Sequence, residues 1–236
     1  MPDSPRGVAG RTVLVAGATS TSGAAACRVL AGAGARVIAV GRDPEKLAAL
    51  ALGAASAAGD LAPPVCVERC DLDDEGEVAG LAERLRADGV RADGILHLVG
   101  GWRGGGGLAG QSDEDYRFLE RGLTALRHVT RAFDADLRAS DAARLAIVSS
   151  TAVARPLAGG ANYAAVKAAS EAWTRAVAQG FAKAARDEQA PLRAAAVVFR
   201  AKALAGLEDD LAERFAALWD ADAASVNDTI RTLGQD

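Results

Sequence analysis

Apolar residues fall in short runs that alternate with longer stretches of helical periodicity along the whole chain. Thr12–Gly17 (TVLVAG) reads as a buried strand, and the small-residue segment SGAAACRVLAGAG after it reads as a helix. RVIAV is a second strand, and RDPEKLAALAL opens a helix with Asp43 as N-cap and Pro44 at its first position, where a missing N–H costs nothing. VCVERCDL followed by DDEGEVAGLAERLRADG repeats the unit, and GILHLV is a fourth strand. Ser112 caps a long helix, Ser112–Leu137; RLAIVSS is a fifth strand; a second long helix runs over Asn162–Ala185; LRAAAVVF is a sixth strand. EDDLAERFAALWD is a last helix, with DTIRTL as a candidate seventh strand. Strands that are apolar at nearly every position and separated by helices are buried on both faces, which predicts a parallel sheet. The expected architecture is α/β: a single doubly wound Rossmann-type domain with six to seven strands and helices on both faces. It would span residues 11–236 behind a flexible tail of residues 1–10. In such a sheet the ligand sits beyond the C-terminal ends of the strands.

Chemistry-bearing residues collect at those ends. The first strand runs into GATSTSG, a glycine-containing turn that opens a helix, where free N–H groups and a positive dipole end suit a diphosphate. Gly17, Thr19, Thr21, Ser22 and Gly23 are its candidate cofactor-binding residues; a plain strand–helix turn is the competing reading. After the second strand, Gly41 leaves space and Arg42 follows where NAD-preferring sites place an acid. A guanidinium there suits a ribose 2′-phosphate, so NADP is expected over NAD, against the alternative of a solvated arginine. Tyr163 and Lys167, at i and i+4 in NYAAVK, project from one helix face, and the ammonium is expected to lower the phenol pKa. Ser150, at the end of the fifth strand, is placed to bind a substrate carbonyl oxygen beside the tyrosine.

LHLVGGWRGGGG, Leu96–Gly107, sets six glycines and a tryptophan directly after the fourth strand. Glycine this dense costs chain entropy, so bare backbone is needed there for close approach. His97 is expected to be a hydrogen-bonded core histidine, His128 to lie on the exposed side of its helix, and Trp173 and Trp219 to serve packing or subunit contact. Arg103 is expected to be a solvated loop arginine, with an anionic substrate group as the alternative partner.

Composition narrows the class further. Half of the 236 residues are hydrophobic and the net charge is −4 without any block of like charge, which argues against nucleic-acid and membrane-surface partners. MPDSPRGVAGR has no apolar core of signal-peptide kind, so a cytoplasmic protein is expected. Cys27, Cys66 and Cys70 form neither a CxxC nor a His-interleaved set and are expected to be reduced, buried thiols; no metal site is expected. Arginine outnumbers lysine 23 to 4, a mark of a GC-rich genome more than of any physical demand.

With these residues in view the chain resembles the short-chain dehydrogenase/reductase family from Arg11 to about Leu233. AGATSTSG matches its glycine-rich turn, Asp71-Leu72 the pair after the third strand, LVG the segment after the fourth, and Ser150, Tyr163 and Lys167 its catalytic set. The resemblance implies an NAD(P)-dependent oxidoreductase acting on a small molecule, a carbonyl or conjugated C=N compound. Asp71 and Leu72 would hold the adenine, Tyr163 donate the proton, Ser150 position the carbonyl, and Lys167 bind the nicotinamide ribose. It also implies a homodimer or homotetramer paired through the two long helices. VGGWRGG is similar to the corresponding segment of dihydropteridine reductases. By that likeness Val99, Gly100 and Gly101 approach the nicotinamide ribose, and Trp102 forms a substrate wall; a packing tryptophan beside a loose loop is the alternative. The chain departs from the family at His97-Leu98-Val99-Gly100 for Asn-Asn-Ala-Gly, at Gly122 for the helix asparagine, and at Phe199-Arg200 for Pro-Gly. The substrate-covering loop after Arg200 is expected to be short. These departures keep a second function open, a dinucleotide-binding partner or sensor without turnover.

Overall fold

In β1 (Thr12–Ala16) every side chain is buried, and the pleat sends Val13 and Val15 to one face of the sheet and Leu14 and Ala16 to the other. Both faces therefore need cover, and the helices that follow the strands supply it. The computed structural model describes residues 7–58 and 65–234. It forms one Rossmann-like α/β domain around a seven-stranded parallel sheet of order β3-β2-β1-β4-β5-β6-β7. The further strands are β2 (Arg36–Gly41), β3 (Cys66–Arg69), β4 (Gly94–His97), β5 (Ala143–Ser150), β6 (Ala194–Ala201) and β7 (Thr229–Thr232).

On one face α1 (Thr21–Gly32) and α6 (Glu208–Ala216) pack Leu30, Leu211 and Phe215 with Val13, Val15 and Val197. Leu50 of α2 (Pro44–Ala58) adds to that layer. On the other face α3 (Glu75–Ala87), α4 (Asp113–Ala139) and α5 (Ala161–Asp187) pack Leu81, Phe133 and Phe181 with Leu14 and Ile95. A short α7 (Ala223–Val226) leads into β7. Strand order reverses at β1, flanked by β2 and β4, so the crevice of the doubly wound sheet opens above Ala16, Val40 and His97, which lie in register.

Where the elements differ from the sequence pattern, tertiary contacts are the reason. β6 continues through Arg200 and Ala201 because these pair with Ser149 and Ser150 of β5. Helix α6 stops at Ala216 and tightens into a 3₁₀ turn over Ala217–Asp220. That turn swings Trp219 inward; its Nε1 donates to the Ala142 carbonyl at 2.7 Å, and its ring fills the space Gly94 leaves bare. The expected tail, residues 1–10, lies outside the described residues as far as residue 6. Its remainder is part of the domain, since Val8 is buried in the core and Gly10 N–H donates to Gly34 O. Cys27 and Cys70 are buried free thiols as expected, but Cys66 is exposed because β3 is the edge strand. Among the described residues no helix is long and apolar enough to cross a membrane, and no cluster could hold a metal ion.

Candidate active site

The turn after β1 can take its course only with glycine at two points. Gly17 has φ +86°, and a Cβ there would lie 3.1 Å from the backbone of Leu98 and Val99. A Cβ on Gly23 would lie 2.4 Å from Gly17 O, so bare backbone closes the turn under the first turn of α1. Ser20 locks it: its Oγ donates to Gly17 O at 2.9 Å and accepts from Gly23 N–H at 3.0 Å. Ser20 is absent from the sequence-derived set, although a serine at an N-cap was the available signal. Thr21, at the head of α1, is exposed, and Gly23 is buried beneath the turn.

Two adjoining cavities cross the strand ends. The first, of about 780 Å³, is lined by Gly17, Thr19, Ser20, Arg42, Asp71, Leu72, Val99 and Gly100. The second, of about 1010 Å³, is lined by Ser22, Gly100, Gly101, Trp102, Tyr163 and Lys167. They share Ser20, Leu98, Val99 and Gly100. Of the sequence-derived residues, Thr21, Gly23 and Ser150 line neither. Gly41 lines the first cavity too, and a Cβ there would lie 2.9 Å from Thr19 Cγ2. Arg42 is mostly exposed and sits 3.7 Å from Asp71 Oδ2. A second guanidinium, Arg121 of α4, lines the same cavity, held by Asp73 Oδ2 at 3.1 Å. Local sequence could not expose it, since α4 meets the β3–α3 turn only in the fold. His128 is half-buried rather than exposed, with Nδ1 3.3 Å from Leu72 O.

At the head of α5, Tyr163 and Lys167 share one face, with the Lys167 Nζ 5.8 Å from the phenol ring centre. Ser150, buried at the end of β5, lies near enough to the phenol to lower its pKa, and its Oγ accepts from Ala152 N–H at 3.1 Å. The expected lowering of the tyrosine pKa does not occur. Burial raises it, and the nearby Ser150 hydroxyl offsets only part of the rise. Lys167 moves the other way: desolvation pulls it down to about 8, against the supporting charge of Glu171 one turn on, and Nζ donates to Val148 O at 2.8 Å.

Glu171 explains the replacement of Pro-Gly by Phe199-Arg200. Arg200 reaches across from β6 and binds it bidentately, Nε–Oε1 at 2.8 Å and Nη2–Oε2 at 2.6 Å, while Ser149 donates to Oε1 at 2.6 Å. Burial alone would raise the Glu171 carboxyl, but these bonds and the Arg200 charge outweigh it, so it stays ionised. His97 fills the gap beside Gly122, its Nε2 3.1 Å from the Gly122 carbonyl. Burial, with the backbone bond and the Lys167 charge as lesser influences, brings its pKa to about 4, which keeps it neutral. It is the hydrogen-bonded core histidine expected.

Part of the glycine density serves the protein's own packing. A Cβ on Gly101 would lie 2.8 Å from the Phe118 ring, one on Gly104 2.5 Å from Gly159 O, and one on Gly110 2.6 Å from Gly106 Cα. At Gly100 a Cβ would lie 3.6 Å from Lys167 Nζ, an ordinary contact. Gln111 clasps this loop to the turn before α5, donating to Gly105 O, Gly107 O and Gly159 O and accepting from Asn162 N–H. Arg103 lies over the Phe118 ring, 4.5 Å from its centre, and is not simply solvated.

A reversing parallel sheet with a glycine turn after β1 and a Ser–Tyr–Lys set beside the crevice defines a dinucleotide-binding oxidoreductase fold. Residues 11–185 match the short chain dehydrogenase family, and the chain belongs to it. It is similar to a Streptomyces sp. (strain C5) protein named "Putative daunorubicin C-13 ketoreductase DnrU", 43% identical over 95 residues, 40% of this chain and 32% of that one. It is also similar to the polyketide synthase GfsA of Streptomyces halstedii, 39% identical over 97 residues, 41% of this chain and 1% of that one. The matched stretches thus span about a third or less of the curated relatives. Among solved structures, a metagenomic short-chain oxidoreductase in complex with NADP superposes with TM-score 0.79 at 27% identity, covering 97% of this chain and 99% of that one. The short chain dehydrogenase from Shigella flexneri does so with TM-score 0.83 at 22% identity, covering 97% and 93%.

Proposed function

We propose that this protein is an NADPH-dependent reductase of a carbonyl group, with Tyr163 as the proton donor. The observation that carries the proposal is the placing of Tyr163 and Lys167 one turn apart on the same helix face, at the wall of the second cavity, with Ser150 at the end of β5 near the phenol. The two adjoining cavities fit an extended dinucleotide. Its adenine half would lie toward Asp71 and Leu72, its diphosphate at Gly17, Thr19 and the first turn of α1 with Thr21 and Ser22, and its nicotinamide half toward Val99, Gly100, Gly101 and Lys167. When bound, the reduced nicotinamide supplies the hydride.

The chain's own residues do the rest. Ser150 Oγ, fixed at the end of a strand, orients the carbonyl oxygen of the substrate. Tyr163 Oη gives its proton to that oxygen as negative charge develops there. Lys167 stabilises the phenolate left behind, and the ionised Glu171, itself paired with Arg200, lends its charge in support of the buried ammonium. Arg42 favours the 2′-phosphate of NADP, with Arg121 adding a second positive charge to the same cavity. The likeness to a structure in complex with NADP and to a named ketoreductase supports the cofactor and the substrate group.

NADPH oxidation at 340 nm with a panel of ketones, diketones, quinones and quinonoid pterins tests the proposal. Consumption with carbonyl compounds is the expected result. Tight NADPH binding without consumption across the panel would favour a dinucleotide-binding partner or sensor instead.

A further inference from the structure

Resting on the reductase reading, we infer that Lys202 receives a carboxylate of the substrate, so that the ketone reduced is an oxo acid. Lys202 lines the cavity that holds Tyr163 and Lys167, and no aspartate or glutamate lines it with them. The first cavity differs, because its two guanidinium groups face Asp71 and Asp73.

Of the four lysines, Lys46 and Lys183 are held in surface pairs with Asp43 and Asp187. Lys167 is committed inside the site, to Val148 O and to the charge of Glu171. Among the described residues no carboxylate pairs with Lys202. The acids that follow it in sequence are all taken. Glu208 accepts from Gly206 N–H at 2.8 Å, Asp209 pairs with Arg28, and Asp210 pairs with Arg214.

The fold fixes where this charge stands. Ala201, the last residue of β6, is in register with Ser150, so Lys202 leaves the sheet one residue beyond the serine assigned to the carbonyl. On the other side of β6, Leu233 N–H donates to Arg200 O at 2.8 Å, and Leu204 and Leu207 pack against the core. The segment that carries Lys202 is thus anchored at both ends. β6 is three strands from β1, roughly 14 Å across the sheet at the usual strand spacing, so Lys202 emerges beside the reacting group and away from the β1 turn where a diphosphate would lie. An ammonium on a flexible stem is a point charge without fixed geometry, which suits a carboxylate on a frame of variable length. A neutral ketone would leave it unpaired.

The test compares 4-oxopentanoate and 4-acetylbenzoate, each with its own amide. Acid and amide share the reacting ketone and nearly the same shape and differ in charge. In at least one pair the kcat/KM of the acid should exceed that of the amide by about fivefold or more, mainly through KM. In Lys202→Gln that preference should fall to within about twofold, and Lys202→Arg should restore most of it. NADPH affinity, read by fluorescence titration, should be the same in both variants as in the wild type. Equal kcat/KM within both pairs, or a preference unchanged in Lys202→Gln, would overturn the site. Loss of NADPH affinity in Lys202→Gln with the preference for the acid intact would assign the ammonium to the diphosphate of the cofactor and overturn it as well. If no compound is reduced, calorimetric titration of the two acids into the NADP-loaded protein decides. Binding of either acid that Lys202→Gln weakens at least about fivefold would uphold the site while the reductase reading fails, and absence of binding would overturn it.

Discussion

Lys167 sits where its charge is expensive, and the Glu171 carboxylate one turn on supports it. Burial brings its pKa to about 8, so the ammonium is present below that pH and lost above it. The rate of carbonyl reduction should therefore fall as pH rises through about 8. Glu171→Gln removes the charge that supports the ammonium and should move this limb to lower pH, while a limb unmoved in the pH profile of kcat/KM would contradict the coupling. His97 gives an opposite test, on stability. It titrates at about 4 in the fold against 6.5 for the free side chain, so the unfolded chain binds more protons between those values. Stability should be fully present above about pH 6.5 and fall by up to roughly 3 kcal/mol toward pH 4, a slope that urea titrations of His97→Gln should find flattened. Arg42 tests cofactor choice. Because it is mostly exposed, Arg42→Ala should cost NADPH roughly 1.5 kcal/mol, about tenfold in Kd, and NADH much less. Equal losses in fluorescence titrations would remove the role.

Elements were legible where the determinants are local. The N-caps Asp43 and Ser112 accept backbone N–H bonds where the sequence placed them, and β1 is apolar throughout because it is covered twice. Ser150, Tyr163 and Lys167 could be found because each lies at a strand end or on a single helix face. Arg121–Asp73 and Arg200–Glu171 could not, since each joins elements distant in sequence and only the fold brings them into reach. The glycine loop shows the same limit. Its density signalled close approach, but the partner at Gly104 is the Gly159 carbonyl, which no local pattern names. Gly104→Ala should separate the two loops. Faster cleavage in the segment Gly101–Gly110 under limited proteolysis is expected, and Gln111→Ala should do the same more mildly. A cleavage pattern unchanged in both variants would mean that the clasp does not hold the loop.

At the scale of the whole molecule, the outer faces of α4 and α5 share a groove lined by Thr130, Trp173, Ala176, Val177 and Gly180. We expect a second copy of the chain to cover it, giving a two-fold dimer or a tetramer built from such dimers. Light scattering at micromolar concentration should find the dimer or tetramer mass, and a monomer alone would count against this pairing. Such a contact would leave the cofactor crevice at the strand ends open, so assembly and reduction are separately testable. The claim on which everything else depends is that Tyr163 donates the proton. Tyr163→Phe keeps the ring and its packing, and it leaves Lys167 and the glycine turn in place, so NADPH affinity should barely change. Measured as NADPH consumption with a reducible ketone, turnover should fall by about a hundredfold or more. A Tyr163→Phe variant that consumes NADPH at the wild-type rate would contradict the account.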